Sequence, residues 1–353
     1  MRKLNATGVL TALAGLALLA WVISRVGAAE IAADLAQVGW GLVAIIAIGG
    51  GRFLLRALAW QFCVAAPHRL RLGDAFTAAV CGDALGNLTP LGPIVGEPAK
   101  AAFVRRRVPL GAAATALAIE NVFYTLSAAA MIASGMVALV FFFRVPPSVR
   151  SISEAAVIAT LALFALALWF LWRQPAILSR ALGATPRLAR HANRMRSVEQ
   201  QIYSFAARSG SRIPAIVAAE VGFHALGVAE IYLTLRLLGY GSVPFLTSFI
   251  LETANRLIQV VFKVVPLRLG VDEAATAWFT DLLGLGPTTG VALAIVRKVR
   301  VLFWTTAGGL LLIREGLFAH PDKQALPRHE VAGIPPRHEG LTTQGRHGPR
   351  SPR

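Results

Sequence analysis

Residues 90–119 read PLGPIVGEPAKAAFVRRRVPLGAAATALAI, and residues 266–295 read PLRLGVDEAATAWFTDLLGLGPTTGVALAI. The second stretch begins 176 positions after the first, half the chain away, and eleven of thirty ungapped positions are identical. Pro90-Leu91 aligns with Pro266-Leu267, Val95 with Val271, Glu97 with Glu273, and Ala116–Ile119 with Ala292–Ile295. Matches of Ala and Leu carry little weight in an Ala-rich chain. The seven-residue step from Pro to Glu, kept in both copies, carries more. Each copy is an apolar stretch interrupted by Pro or Gly and bearing a carboxylate. In a membrane protein, such paired breaks in corresponding halves point to a transport site.

The membrane assignment rests on composition. Hydrophobic residues make up 56% of the 353 positions and charged residues 15%, with a mean hydropathy of +0.61. Several apolar runs reach the roughly 20 residues that a crossing helix needs. Segments such as Ala155–Trp172 are apolar all round and lack the polar stripe of a soluble helix. The net charge of +17 sits in loops between apolar runs. That is the positive-inside pattern, which argues for anionic lipid headgroups as neighbours and against nucleic acid. Cys63 and Cys81 make neither a disulfide framework nor a metal-ligand spacing.

Six spans are expected, at about Thr7–Ile23, Trp40–Phe62, Ala112–Phe143, Ala155–Trp172, Pro214–Leu238 and Thr288–Arg314. Between them lie two broken units. The first has short arms at Ala75–Thr89 and beyond Pro98, ending in Arg105-Arg106-Arg107. The second has arms at Phe245–Val264 and Ala274–Leu283. Basic residues flank both ends of the first unit, so it reads as a re-entrant hairpin. Three crossings separate the two units, and an odd number inverts the second. The expected fold is therefore an all-α polytopic membrane protein with about six transmembrane helices plus two re-entrant hairpins in an inverted repeat. Its halves run about 1–150 and 175–318. The linker 173–212 holds eight arginines and one acidic residue, Glu199, and marks the cytoplasmic side; part of it, Asn193–Arg208, reads as an amphipathic surface helix. Residues 319–353, rich in Pro, Gly, Arg and His, read as a disordered cytoplasmic tail. A short amphipathic piece, Ala28–Val38, follows the first span. Both termini are placed in the cytoplasm.

Ionisable groups at membrane depth cost on the order of 3 kcal/mol each on insertion scales, so each is a functional candidate. Glu97 and Glu273 occupy equivalent points of the two breaks; they either serve transport or cap helix N-termini near Pro98 and Ala274. Arg52 and Arg56, at i, i+4 spacing, either grip a phosphate or pair with buried carboxylates. Glu120 with Asn121 stands where the repeat has Val296 and Arg297, which suggests a Glu120–Arg297 salt bridge across a pseudo-two-fold axis. The other reading puts Arg297, Lys298 and Arg300 at a membrane interface. Glu220 and His224 share a helix face, with an interhelical hydrogen bond as the plainer role for His224. Glu252 and Arg256 are spaced to pair with each other. Gly49-Gly50-Gly51 permits close helix packing. No motif for nucleotide, zinc or nucleophilic chemistry occurs, so no cofactor and no enzymatic activity are expected.

Gly86-Asn87-Leu88-Thr89-Pro90 with Gly96-Glu97-Pro98-Ala99-Lys100-Ala101 resembles the lysylphosphatidylglycerol synthase transmembrane (flippase-like) family. So does Val265–Ala274, with Pro266 and the Asp272-Glu273 pair, followed by Arg297-Lys298-Val299-Arg300. The resemblance covers about residues 1–318; Val95-Gly96-Glu97 departs from the Gly-Gly-Glu form of the first motif. It implies an integral protein of the bacterial plasma membrane that moves lipids between leaflets. No transferase domain follows the membrane part, so aminoacyl transfer is expected to be absent. The implied partners are membrane lipids: anionic or aminoacylated phospholipid, polyprenyl-linked lipid or hopanoid. A lipid-synthesis enzyme or a second copy of the chain stays open as a partner. On this reading Glu97, Glu273, Arg52, Arg56, Asn87, Pro90, Pro266, Asp272, Glu120 and Arg297 form the translocation path. An accessory role in envelope synthesis and transport of a small solute are the rival functions.

Overall fold

Helix formation follows the apolar runs closely. The computed structural model describes residues 36–89, 92–174, 199–205, 209–241, 243–262 and 270–314, with positions 33, 180, 196 and 268 besides. The helices are α1 (Gly41–Cys63), α2 (Leu72–Leu88), α3 (Gly92–Phe103), α4 (Leu110–Phe142) and α5 (Pro147–Arg173). After a 3-10 turn at Gly210–Arg212 come α6 (Ile213–Leu237), α7 (Phe245–Val261), α8 (Val271–Leu282) and α9 (Pro287–Arg314). No strand occurs among the described residues, and the fold is that of an all-α membrane protein. The first expected span, most of Ala28–Val38, Pro90, Pro266, much of the 173–212 linker and the tail lie outside the described residues. Within that linker, residues 199–205 are helical, and Phe205 is buried against Phe123 of α4.

Four segments among the described residues are long and apolar enough to cross a membrane: α1, α4, Pro147–Phe170 of α5, and Gly210–Leu237. The last expected span forms as α9, but Arg297, Lys298 and Arg300 interrupt its apolar run. Large apolar side chains such as Phe141, Ile158, Leu161 and Leu168 remain exposed on α4 and α5, as a hydrocarbon solvent requires.

The repeat is visible in the helices themselves. Shifting the bounds of α1–α4 by 176 residues reproduces those of α6–α9 to within four residues at every end. The unpaired α5 connects the halves. Equivalent helices α1 and α6 pack along each other in opposite directions: Gly41 lies beside Leu237, Gly51 beside Leu226, and Leu55 beside Gly222. At one end, Arg212 Nη1 donates to the Val64 carbonyl at 3.0 Å. Contacts between the halves are exchanged in kind, with α9 against α2 and α1, and α4 against α7 and α6.

Two apolar clusters occupy opposite ends of the α1–α6 pair. One gathers Trp60, Cys63, Val104, Leu117 and Ile216; the other gathers Ile45, Met136, Leu139, Leu235, Ile250 and Leu293. Several charged side chains, among them Arg52, Glu120, Glu220, Glu230 and Glu252, are buried.

The first hairpin is closed by glycine. A Cβ on Gly96 would stand 2.6 Å from the Gly82 carbonyl oxygen, and one on Gly92 would stand 2.7 Å from that of Gly86. Both pairs put small residues at i, i+4 on facing helices, the device that lets backbones touch where lipid supplies no hydrophobic drive. This explains why α3 starts at Gly92 and not near Pro98, as the sequence reading expected: the extra turn carries Gly92 and Gly96 onto α2, with Pro98 kept inside the helix. Gly96→Ala should therefore destabilise by about 1–3 kcal/mol, an overpacking cost. Gly309→Ala on α9, where a Cβ meets nothing within 4 Å, should be neutral or slightly stabilising. Thermal unfolding of both variants in one detergent checks the contrast.

Candidate functional site

Helix α1 carries Arg52 and Arg56 one turn apart, and α6, α7 and α9 bring Glu230, Glu252 and Arg300 to Arg52. Glu252 of α7 is the hub. Its Oε1 accepts from Arg256 Nε and Nη2 at 3.0 and 2.7 Å, and its Oε2 accepts from Asn255 Nδ2 at 3.0 Å. Asn255 Oδ1 in turn accepts from Arg297 Nη1 at 2.8 Å. Arg52 bridges to Glu230 at 3.2 Å and to Glu252 at 3.5 Å, and Arg300 Nε lies 2.8 Å from the other Glu230 oxygen. Three guanidiniums thus share two carboxylates, and a fourth, Arg297, joins them through Asn255. The Phe223 ring takes part of the excess positive charge, with the guanidinium carbons of Arg52 and Arg256 at 4.6 and 4.9 Å from its centroid.

A second group lies one turn further along α1. Arg56 grips Glu120 of α4 with two parallel bonds, Nε to Oε1 at 2.8 Å and Nη2 to Oε2 at 2.9 Å. Its guanidinium also lies 4.1 Å from the centroid of Tyr124. Beside it, Glu97 of α3 accepts from Lys100 Nζ at 2.7 Å and from Asn121 Nδ2 at 3.0 Å. The third group joins α8 to α9: Lys298 Nζ lies 2.7 Å from Glu273, while Asp272 accepts from Arg268 at 3.1 Å. Arg268 has a left-handed φ of 47° and Gly270 a φ of 75°; that turn starts α8.

Paired charges are the form in which ionisable groups persist at this depth. Several expectations are thereby corrected. Arg297 does not reach Glu120; each has a nearer partner, Asn255 for the first and Arg56 for the second. Arg52 is closed on both sides by carboxylates, leaving its fork filled. Glu97 is the sixth residue of α3 and caps nothing, whereas Glu273 lies in the first turn of α8 without a side-chain capping bond. Glu252 and Arg256 do pair, and His224 makes its interhelical bond, Nε2 to Ser127 Oγ of α4 at 3.1 Å.

A polar cavity of about 470 Å³ opens beside the second group. Its wall combines Gly82, Asp83, Gly86 and Asn87 of α2 with Gly96, Glu97 and Lys100 of α3, Asn121 and Tyr124 of α4, and Arg256 and Gln259 of α7. Arg56 and Arg268 add two further cations, and Ala128, Ile132, Leu163 and Val260 give it an apolar side. Both repeat units therefore border one space. Of the sequence-derived candidates, Glu97, Arg56 and Asn87 line it. Arg52, Glu120, Asp272 and Glu273 do not, and serve ion pairs; Arg297 does not either, and donates to Asn255. Asn87 Nδ2 donates to Asp83 at 2.9 Å and to Thr305 at 3.0 Å, tying α2 to α9. The sequence singles out Asn121 beside Glu120 but not Lys100, Tyr124 or Phe223. Of these three, Lys100 alone has a signal, three residues after Glu97. No group of three potential metal ligands occurs among the described residues.

The family model described as lysylphosphatidylglycerol synthase TM region matches residues 6–309. The chain belongs to that family, and is a membrane protein of a group tied to lipid-related processes. Among curated proteins and among solved structures it has no match.

Proposed function

We propose that this member of the lysylphosphatidylglycerol synthase TM region family moves a lipid headgroup between the leaflets of the bacterial plasma membrane. The observation that carries the reading is a polar cavity bordered by both halves of a repeat, inside helices whose outer faces are apolar. Four cationic side chains line it (Arg56, Lys100, Arg256, Arg268) against two carboxylates, Asp83 and Glu97. Each of the four already has a carboxylate partner (Glu120, Glu97, Glu252 and Asp272), so an anionic headgroup such as a phosphodiester would be gripped by the donors these pairs leave free, or in exchange for a carboxylate. Its volume falls in the ordinary range for small-molecule sites, about 300–1,000 Å³, too small for a whole diacyl lipid. The acyl chains stay in hydrocarbon and only the headgroup needs the polar path.

The antiparallel packing of equivalent helices α1 and α6 supports an inverted repeat with its axis near Gly50 and Gly51. On that reading α2–α3 and α7–α8 are re-entrant hairpins, six helices cross, and both termini are cytoplasmic. The role is transport and not catalysis.

Reconstituted protein should accelerate dithionite quenching of inner-leaflet fluorescent phosphatidylglycerol over protein-free liposomes. Lys100→Met, which removes one wall cation and leaves Glu97 held by Asn121, should slow that step by about tenfold or more, the worth of one charge-assisted hydrogen bond. A wild-type rate equal to that of empty vesicles would end the proposal.

A further inference from the structure

A second cavity, of about 720 Å³, lies on the opposite face of α4 from the polar one, between α4, α5, α6 and α7. Phe123, Leu126, Met131, Phe164, Val221 and Phe249 are among its walls. Phe164, Val217, Val221 and Phe245 are themselves exposed, so its mouth lies on the apolar outer surface. Four polar side chains interrupt this lining: Ser127 and Ser134 of α4, and Glu220 and His224, one turn apart on α6. Glu220 and His224 are both more than nine-tenths buried. Neither Glu220 oxygen nor His224 Nδ1 has a hydrogen-bond partner among the described residues.

Ser127 Oγ lies 3.0 Å from the Tyr124 carbonyl and 3.1 Å from His224 Nε2, and which of the hydroxyl and the imidazole donates depends on the tautomer. The neighbouring Arg56 guanidinium, stacked on Tyr124, is committed to Glu120. At its polar end the cavity thus offers an unpartnered carboxylate and an unpartnered ring nitrogen between hydrocarbon walls. A phosphate or carboxylate would meet the like charge of Glu220. An apolar pocket with a few convergent polar groups is the ordinary form of a ligand site.

We propose that this cavity binds a bilayer-borne amphiphile whose polar end donates hydrogen bonds and bears no negative charge, a long-chain amine or alcohol. The donor end meets Glu220 and His224, and the chain lies along α4 and α6. The site is separate from the polar cavity, has the opposite electrostatic preference, and does not rest on the translocation reading.

The test uses the full chain in phosphatidylcholine nanodiscs with hexadecylamine, hexadecanol and palmitate as probes, bound ligand being counted by native mass spectrometry. Amine binding, alcohol binding, or both, with palmitate excluded, is the expected result. If the amine binds, Glu220→Gln, which keeps shape and one acceptor, should weaken it by about tenfold or more while leaving the alcohol within about twofold. If only the alcohol binds, that variant should retain it. Val221→Trp at the exposed mouth should abolish binding of either without threatening the fold. Palmitate bound as well as the other two, no probe bound, or probe binding that ignores Val221→Trp would each overturn the proposal. Rates of fluorescent phosphatidylglycerol movement in the same variants form a separate readout, so loss of one site leaves the other interpretable.

Discussion

Glu252→Leu should lower the apparent Tm of the detergent-solubilised protein by on the order of 10 °C, corresponding to about 3–5 kcal/mol. The carboxylate is 1% exposed and answers Arg256, Arg52 and Asn255 at once. Removing it leaves the Arg256 fork with only Tyr124 and Gln259 as distant neutral acceptors, both at 3.3 Å. Arg52 keeps Glu230, but Arg300 already shares that group. Glu230 would then answer Arg52 and Arg300, and Arg256 would have no carboxylate. Leucine fills the volume, so the loss measures charge and not a cavity. Glu252→Gln separates the contributions: it keeps an oxygen for Arg256 and should cost less than half as much. Equal Tm values for wild type and the leucine variant would mean that water, and not Glu252, solvates these arginines.

That hub shows how the fold and the site differ in legibility. Helix positions depend on local runs, and α4, α6 and α9 each fell within two residues of the expected start. The repeat was legible because Pro and Glu are rare in such runs and recur at one spacing. Pairing depends on which faces meet. Arg52 and Arg56 sit on the same side of α1, yet the first turns to residues 178 and 200 positions away and the second to one 64 positions away. Several carboxylates were chemically equivalent candidates for each. The proposed Glu120–Arg297 bridge failed for this reason: the repeat relates their positions, but the antiparallel packing of α1 on α6 carries Arg56 to Glu120 first. Phe223 left no signal, since an aromatic on an apolar helix is indistinguishable from core until three arginines are seen around it.

The sharpest functional expectation separates two residues that the repeat makes equivalent. Glu97 and Glu273 occupy the same position in their copies, but Glu97 is 30% exposed at the side chain and faces the polar cavity, whereas Glu273 is fully buried against Lys298. Glu97→Gln frees the Lys100 ammonium inside the cavity and removes a carboxylate that competes with an anionic headgroup. An anionic lipid should then be held longer, and its movement between leaflets should slow by about tenfold, with Tm little changed. Glu273→Gln leaves Lys298 with Asp272, 4.0 Å away, as its nearest carboxylate. It should lower Tm by several degrees, on the order of 1–3 kcal/mol, while lipid movement per folded molecule stays near wild type. The Lys100→Met/Glu97→Gln double variant distinguishes trapping from collapse. If Glu97→Gln slows movement by trapping, the single variant should hold more phosphatidylglycerol through purification than wild type. Deleting the freed cation should remove that excess; the rate alone does not decide, since Glu97→Gln and Lys100→Met are both slow. If both single glutamine variants slow movement equally at unchanged stability, the two breaks act symmetrically, and the buried position of Glu273 belongs to one state of an alternating cycle.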